Sequence, residues 1–274
     1  MSKQLGASSR AAWFAAVFLC LAQGAVFADS HNGEVVGEAY DLESGELLYR
    51  ETHCVSQDRL ERKVLYRDGD DRLIAIKKLD YRSGAMTPSF EQHNLYSSES
   101  IEVAMSDRDL TMTVRDATRE APLKTASARA GEQAPLVIDA GFDPFIRANW
   151  DSLVKGEKLE FQFPVADRTD LVQLRLRSQS CSYDSQNQQC FRLELANWLL
   201  RMLVAPVELG YDAEARQLSR YRGLSNIGDE NGDGQVVDIR YDYEQVPPMA
   251  CHAVEQLLTE NSFRPDPRET EQRI

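Results

Sequence analysis

Period-two alternation constrains this chain more than any other feature. In the stretch Lys158–Val165, the residues Leu159, Phe161, Phe163 and Val165 occupy one phase, and Lys158, Glu160 and Gln162 the other. Val172, Leu174 and Leu176 alternate with Gln173, Arg175 and Arg177, and Val237, Ile239, Tyr241 and Tyr243 with Asp238, Arg240 and Asp242. Successive side chains of a strand point to opposite faces, so this pattern describes antiparallel strands with one packed and one wetted face. Similar runs occur at 34–40, 46–54, 59–66, 73–79, 101–105, 110–114, 207–211 and 218–222. Polar turn sequences at 42–45 and 68–71 join neighbouring runs and favour an up-and-down meander. The expected fold is mainly β: a single strongly curved antiparallel sheet, or open barrel, wrapping one to three short helices.

Three segments carry helical signals instead. Asp143 as N-cap, Pro144 at the first helical position and Gly156 as stop predict a helix over 145–155. Leu195, Trp198, Leu199, Met202 and Leu203 recur at i, i+3, i+4, i+7 and i+8 before Pro206, predicting a helix with one apolar stripe. Such a stripe plugs a core or lines a ligand cavity. Ala250, Val254, Leu257 and Leu258 share one side of a third helix over 250–259. Residues 116–134 lack apolar periodicity and read as a surface loop. The tail, 262–274, has two prolines, alternating charges and almost no apolar mass, and is expected to be disordered.

The first 28 residues have the layout of a secretory signal peptide. Lys3 and Arg10 precede an apolar run, 11–21, and Val26-Phe27-Ala28 presents small residues ahead of a cut before Asp29. That run is shorter than the roughly 20 residues a membrane span needs, and no later segment is apolar enough to cross. The expected organisation is therefore a leader at 1–28, one antiparallel β domain at 29–261 and the tail, with the mature chain in the periplasm. About 245 residues is ample for one core. The leader holds two cations and no acid, so the net charge of −13 becomes −15 without it. Such a surface repels nucleic acid phosphates and anionic lipid headgroups, which makes neither an expected extended partner.

Four cysteines remain in the mature part, an even number that in an oxidising compartment suggests disulfides. Cys181 and Cys190 flank a polar loop between strand-like runs, so a clasp across a hairpin is natural. Cys54 with Cys251 would then tie an early strand to the C-terminal segment, although four cysteines allow three pairings. A nucleophilic Cys54 beside His53 is the sharper alternative, but adjacency in sequence does not supply the geometry such a pair needs.

Asp229, Asn231 and Asp233 fall at positions 1, 3 and 5 of a calcium-loop spacing, with Gly234 at 6. Position 12 is Arg240 instead of a bidentate glutamate, and the flanks read as strands. A hairpin turn is the plainer reading and a calcium site the alternative; no other cofactor is expected. His31, His53, His93 and His252 are scattered, without an i, i+4 metal pair. There is no Gly-x-Ser-x-Gly elbow, phosphate-binding glycine loop or dinucleotide fingerprint. A catalytic site assembled from distant strands would leave no such local trace.

At Leu48-Tyr-Arg-Glu-Thr-His53, Leu73-Ile-Ala-Ile-Lys-Lys-Leu-Asp-Tyr81, Ile138-Asp-Ala-Gly-Phe-Asp143 and Tyr221-Arg-Gly-Leu-Ser-Asn226, the chain resembles a group of uncharacterised exported bacterial proteins. The layout also resembles the lipoprotein-carrier type of open β-barrel, in which a curved sheet wraps an apolar cavity closed by helices. That resemblance implies an architecture and transfers no functional residue. A curved one-sided sheet with apolar helices naturally encloses a pocket. The leading expectation is thus a non-catalytic periplasmic carrier for a lipid or other hydrophobic small molecule, with Phe161, Phe163, Trp198, Met202 and Tyr241 as its wall. The alternatives are an envelope interaction or assembly factor with a filled core, partnered by an envelope protein, and a hydrolase with a non-local site.

Overall fold

Aspartates at the hairpin turns do much to set this fold. In the computed structural model, which describes residues 35–116, 124–129, 134–202 and 204–243, each of several turns opens on an aspartate whose own carboxylate caps it. Asp41 Oδ1 accepts the backbone N–H of Glu43 and Ser44, and Asp68 Oδ1 those of Asp70 and Arg72. Asp212 Oδ1 does the same for Glu214 and Ala215, and Asp229 Oδ1 for Asn231 and Asp233. A short carboxylate satisfies turn N–H groups that no ladder can reach, which is why acids are frequent here. Part of the chain's negative charge is therefore spent on turn geometry.

The strands are β1 (Val35–Asp41), β2 (Leu47–Val55), β3 (Glu61–Asp68), β4 (Leu73–Asp80), β5 (Ser89–Asn94), β6 (Glu99–Ser106), β7 (Asp109–Asp116) and β8 (Lys124–Arg129). After two short helices, α1 (Phe142–Ala148) and α2 (Trp150–Val154), come β9 (Leu159–Val165), β10 (Asp170–Gln179), β11 (Gln188–Leu195), β12 (Val207–Asp212), β13 (Leu218–Gly228) and β14 (Gly234–Asp242). All 14 strands form one sheet in the order β8-β7-β6-β5-β4-β3-β2-β1-β14-β13-β12-β11-β10-β9. Every neighbouring pair is antiparallel. β1 lies at the centre with β14 beside it (Gly37 opposite Tyr241), so the meander runs outward from there in both directions. The mainly β, single-sheet, open architecture expected from the alternation is the one observed.

The sheet does not close by strand pairing. Residues 135–138 instead run along the free edge of β9: Val137 N–H donates to the Gln162 carbonyl, and Gln162 N–H to that of Pro135. Ile138 N–H donates to the Met86 carbonyl on the β4–β5 connection. Leu136 and Ile138 pack with Val103, Leu110 and Met112 of β6 and β7, and with Ala166 and Leu171 at the β9–β10 turn. Strands far apart in sheet order thus meet around this segment, which requires strong curvature. Gly141 is needed here because a Cβ would stand 2.1 Å from the Met86 carbonyl oxygen.

The inner face is filled by two adjoining aromatic-rich clusters. Phe145, Ile146, Trp150 and Leu153 of the helices pack against β9–β13, where Trp150, Phe191 and Tyr211 meet edge to face at 5.2–5.8 Å. Such edge-to-face contacts align positive ring edges with negative ring faces. Ala39, Tyr49, Val64, Tyr66, Ala75 and Ile239 form the second cluster on β1–β4 and β14, and Tyr221 and Tyr241 touch both.

Several sequence-based expectations are corrected. The helix starts at Phe142, not after an Asp143 cap; its N-cap is Gly141, because the turn at 139–141 leads directly into it. Asp143 lies in the first turn, where its carboxylate accepts the Tyr211 hydroxyl and pairs with Arg147. A break at Asn149 divides the predicted single helix in two, and Gly156 ends it with φ +93°. No α-helix occupies 195–202. Leu195 is paired with Leu174 in the β10–β11 ladder, and only one 3-10 turn, Leu200–Met202, follows. The loop expected over 116–134 contains β8, an edge strand of small and polar residues that pairs with β7 through the backbone ladder and an Arg129–Asp109 ion pair. β5 was also unmarked, since Gln92 occupies a buried inward position that alternation assigns to an apolar residue. The leader, His31, Leu203, the helix expected at 250–259, Cys251, His252 and the tail lie outside the described residues.

Candidate functional site

The residues expected to form one ligand wall divide into two groups. Phe161 is buried, with its ring 4.9 Å from that of Phe145, while Phe163 and Tyr241 flank the same core. Trp198 and Met202 are on the outside, 69% and 70% exposed. The expected i, i+3, i+4 stripe never forms a helical face, so nothing folds it inward.

The interior holds a polar centre where β1, β2, β4 and β14 meet. Glu51 faces inward from β2, and Gly37 opposite leaves the room its side chain occupies; a Cβ there would lie 2.7 Å from Glu51 Cγ. Glu51 Oε1 is 3.1 Å from His53 Nε2, and the Tyr241 hydroxyl donates to the same carboxylate. Burial by itself pushes the Glu51 carboxyl up. Attraction to His53, hydrogen bonds from His53 and Tyr241, and the charge of Lys77 outweigh it and hold the group below its ordinary range. Lys77 is buried, with Nζ 2.7 Å from Asp139 Oδ1 and 4.9 Å from the centre of the Phe90 ring.

Burial, followed by the Glu51 charge, raises the hydroxyls of Tyr66, Tyr221 and Tyr241 well above the ordinary phenol range, so they stay neutral; those of Tyr221 and Tyr241 donate, to the Leu224 carbonyl and to Glu51. The Tyr49 hydroxyl, raised in the same way, pairs with Ser225 Oγ at 2.8 Å. Buried charge is tolerated only when paired and hydrogen-bonded, a condition that Glu51 and Lys77 meet with protein partners, while His53 Nδ1 is buried without one. The centre acts as an ionic and aromatic brace in the interior.

Cys181 and Cys190 form the expected disulfide across the β10–β11 connection, with Cα atoms 5.2 Å apart. Glu208 lies near both sulfurs, but a disulfide offers no thiolate to a metal. Cys54 is disulfide-bonded as well, so the nucleophilic alternative lacks its thiol; Cys251 lies outside the described residues. Asp229, Asn231 and Asp233 occupy the β13–β14 turn, as the plainer reading had it. There the Asp229 carboxylate is engaged by the turn's own N–H groups, which hold it below the ordinary carboxylate range.

One rim of the sheet stands out by its chemistry. The turns β1–β2, β3–β4, β5–β6, β9–β10, β11–β12 and β13–β14 all lie at the same end of the meander. The β11–β12 connection exposes Trp198, Leu199, Leu200, Met202 and Val204 there. Leu224 and Val236, a facing pair on β13 and β14, are 53% and 41% exposed beside it, and Leu42 and Leu95 are exposed on further turns of that rim. Of the exposed large apolar side chains described, only Leu60 and Val154 lie elsewhere. Single exposed apolar residues are ordinary, whereas their concentration at one edge marks a contact surface. A sequence signal for Leu224 and Val236 existed but went unused: each stands in the outward phase otherwise held by Arg220, Arg222, Asp238 and Arg240.

No family model matches the chain, and no curated protein does. Among solved structures it is similar to a beta-barrel-like protein of the domain of unknown function DUF1849 from Brucella abortus. That match has 6% identity and a TM-score of 0.30, and covers 76% of this chain and 94% of the other. At that score the likeness carries no function across.

Proposed function

We propose that this chain is an exported, non-catalytic binding protein that holds a lipid or other hydrophobic group at its apolar rim instead of in its interior. The concentration of exposed large apolar side chains on that rim, led by Trp198 and Met202, carries this reading. The close-packed aromatic clusters among the described residues support the choice of the rim over a cavity. The signal-like leader supports periplasmic residence.

Of the three tryptophans, Trp13 belongs to the leader, Trp150 is buried and Trp198 is exposed, so Trp198 is a built-in reporter. Titrating the mature protein with a lysophospholipid should shift its emission to the blue, and Trp198→Phe should abolish the shift. Native mass spectrometry of the periplasmic protein should show a lipid-sized adduct. An unchanged spectrum together with a clean apo mass after lipid addition refutes the reading.

A second reading, an envelope interaction factor, draws on the same filled core. In that case the rim seats a protein, and crosslinking through a cysteine placed at Trp198 would capture a polypeptide where no lipid binds.

A further inference from the structure

The outer face of β10–β14 carries charge opposite in sign to the chain as a whole. Glu194, almost fully buried, is surrounded by Arg177, Arg192 and Arg201 at 3.7, 2.6 and 2.8 Å. Asp238, equally buried, is surrounded by Arg220 at 2.6 Å, Arg240 at 3.3 Å and Arg222 at 3.9 Å. Register joins the two clusters: Asp238, Arg222, Glu208, Arg192 and Arg177 lie side by side across five strands. Six guanidiniums thus face three carboxylates, a local excess of three positive charges on a chain of net charge −13. At about 4.8 Å between strands the row spans roughly 20 Å.

This cationic band adjoins the apolar rim directly. Along β13, Leu224 is followed on the same face by Arg222 and Arg220; along β14, Val236 is followed by Asp238 and Arg240. Arg201 stands in the Trp198–Val204 connection itself. The Trp198–Met202 stretch follows the last ladder pairs of β11, Leu174–Leu195 and Leu193–Val207, so it lies nearer the tip than the Arg177–Arg192 row. Interfacial proteins likewise sink apolar groups ~5–10 Å below the lipid phosphates. Arginine suits the phosphate level, because its planar, weakly hydrated fork pairs with phosphate while its stem stays in apolar surroundings.

We propose that this face docks the rim onto a bilayer containing anionic phospholipid, with Trp198, Leu199, Leu200 and Met202 of the β11–β12 connection in the acyl layer and the arginine band among the phosphates. The proposal rests on the apolar-rim reading and adds to it the headgroup chemistry and the orientation. Asp229, Glu230 and Asp233 on the β13–β14 turn, and Glu43, Glu46, Asp70 and Asp71 further round the same rim, are repelled by such a surface, so the molecule tilts with its β10–β12 side towards the lipid. The whole-chain charge argument fails locally because folding segregates the signs.

The test is flotation of the mature protein with phosphatidylcholine vesicles, with and without phosphatidylglycerol, at low and high salt. Arg177→Gln and Arg240→Gln remove the two arginines of the band that combine good exposure with a peripheral place in their clusters; Arg177→Lys and Arg240→Lys keep the charge. Partitioning should require phosphatidylglycerol, weaken with salt, fall roughly fivefold for each glutamine and survive the lysines. Equal partitioning onto both vesicle types overturns the docking proposal and leaves the apolar rim standing. So does a Trp198 response to lysophospholipid without vesicle binding. Failure of both the vesicle and the lysophospholipid assays overturns the rim reading itself. If polyglutamate binds as tightly as the vesicles do, with the same arginine dependence, the face is a seat for an acidic protein and the docking proposal falls.

Discussion

Gly37→Ala is a small change with a large expected effect. The backbone at Gly37 is not in the left-handed region, so alanine is allowed there and the cost is steric alone. The added Cβ would stand 2.7 Å from Glu51 Cγ, 2.9 Å from Glu51 Oε1 and 3.0 Å from Ile239 Cγ2. Ile239 is held in the core, so Glu51 must move, and in moving it leaves His53 and Tyr241. Overpacking of this kind costs about 1–3 kcal/mol. A weakened hydrogen bond to a charged group adds about 1.5–3 kcal/mol. Restricting the unfolded chain returns about 0.4–1 kcal/mol. The net loss should be about 2–4 kcal/mol, read as a lower urea midpoint at unchanged slope. In a Glu51→Ala background only the 3.0 Å approach to Ile239 Cγ2 remains, so Gly37→Ala should cost much less there, and a double-mutant cycle isolates the Glu51 contact. Equal losses in both backgrounds, or a loss under about 0.5 kcal/mol in the parent, would refute the argument.

Three further outcomes follow from single side chains. Hydrogen bonds from Tyr96 and from the Arg72 backbone and side chain, acting against burial, lower the Asp68 carboxyl from 3.8 to about 2. A depressed folded-state value stabilises the fold above the unfolded value, and that contribution disappears as pH falls from about 4 through about 2. Asp68→Asn should therefore be less stable than the parent at neutral pH and converge with it in strong acid, as followed by denaturation across pH; a constant gap would contradict the assignment. Trp150→Ala should cost about 3–5 kcal/mol, because it empties a packed aromatic site. Trp198→Ala, at an exposed position, should change stability by less than about 0.5 kcal/mol while removing the lipid response.

Strands came through where apolar and polar residues alternate, most cleanly in β9, β10 and β14 and also in the runs that became β1–β4, β6, β7, β12 and β13. β5 and β8 were missed for related reasons: one buries Gln92 by hydrogen-bonding it to Asn94 and the Asn226 carbonyl, and the other is an edge strand whose small and polar residues carry no clean alternation. The stripe from Leu195 to Met202 fits a helix as well as any in the chain. Pairing of Leu195 with Leu174 extends the strand instead, and Asn197 then caps a turn through Leu199 and Leu200. Phe161, Phe163 and Tyr241 were legible as inward residues, whereas the roles of Glu51, Lys77 and His53 were not, since their partners come from other strands.

By itself, then, the sequence determined the class of fold, the polarity of the faces in cleanly alternating strands, the chemistry of the turns and the Cys181–Cys190 clasp. These depend on neighbours a few residues apart, where pleat geometry and turn hydrogen bonds act directly. Tertiary structure alone decided that Trp198 and Met202 face outward, that one rim gathers the exposed apolar groups, and that six arginines of a strongly acidic chain share one face. Each depends on register between strands far apart in sequence, and register is set by the packing of the whole inner face.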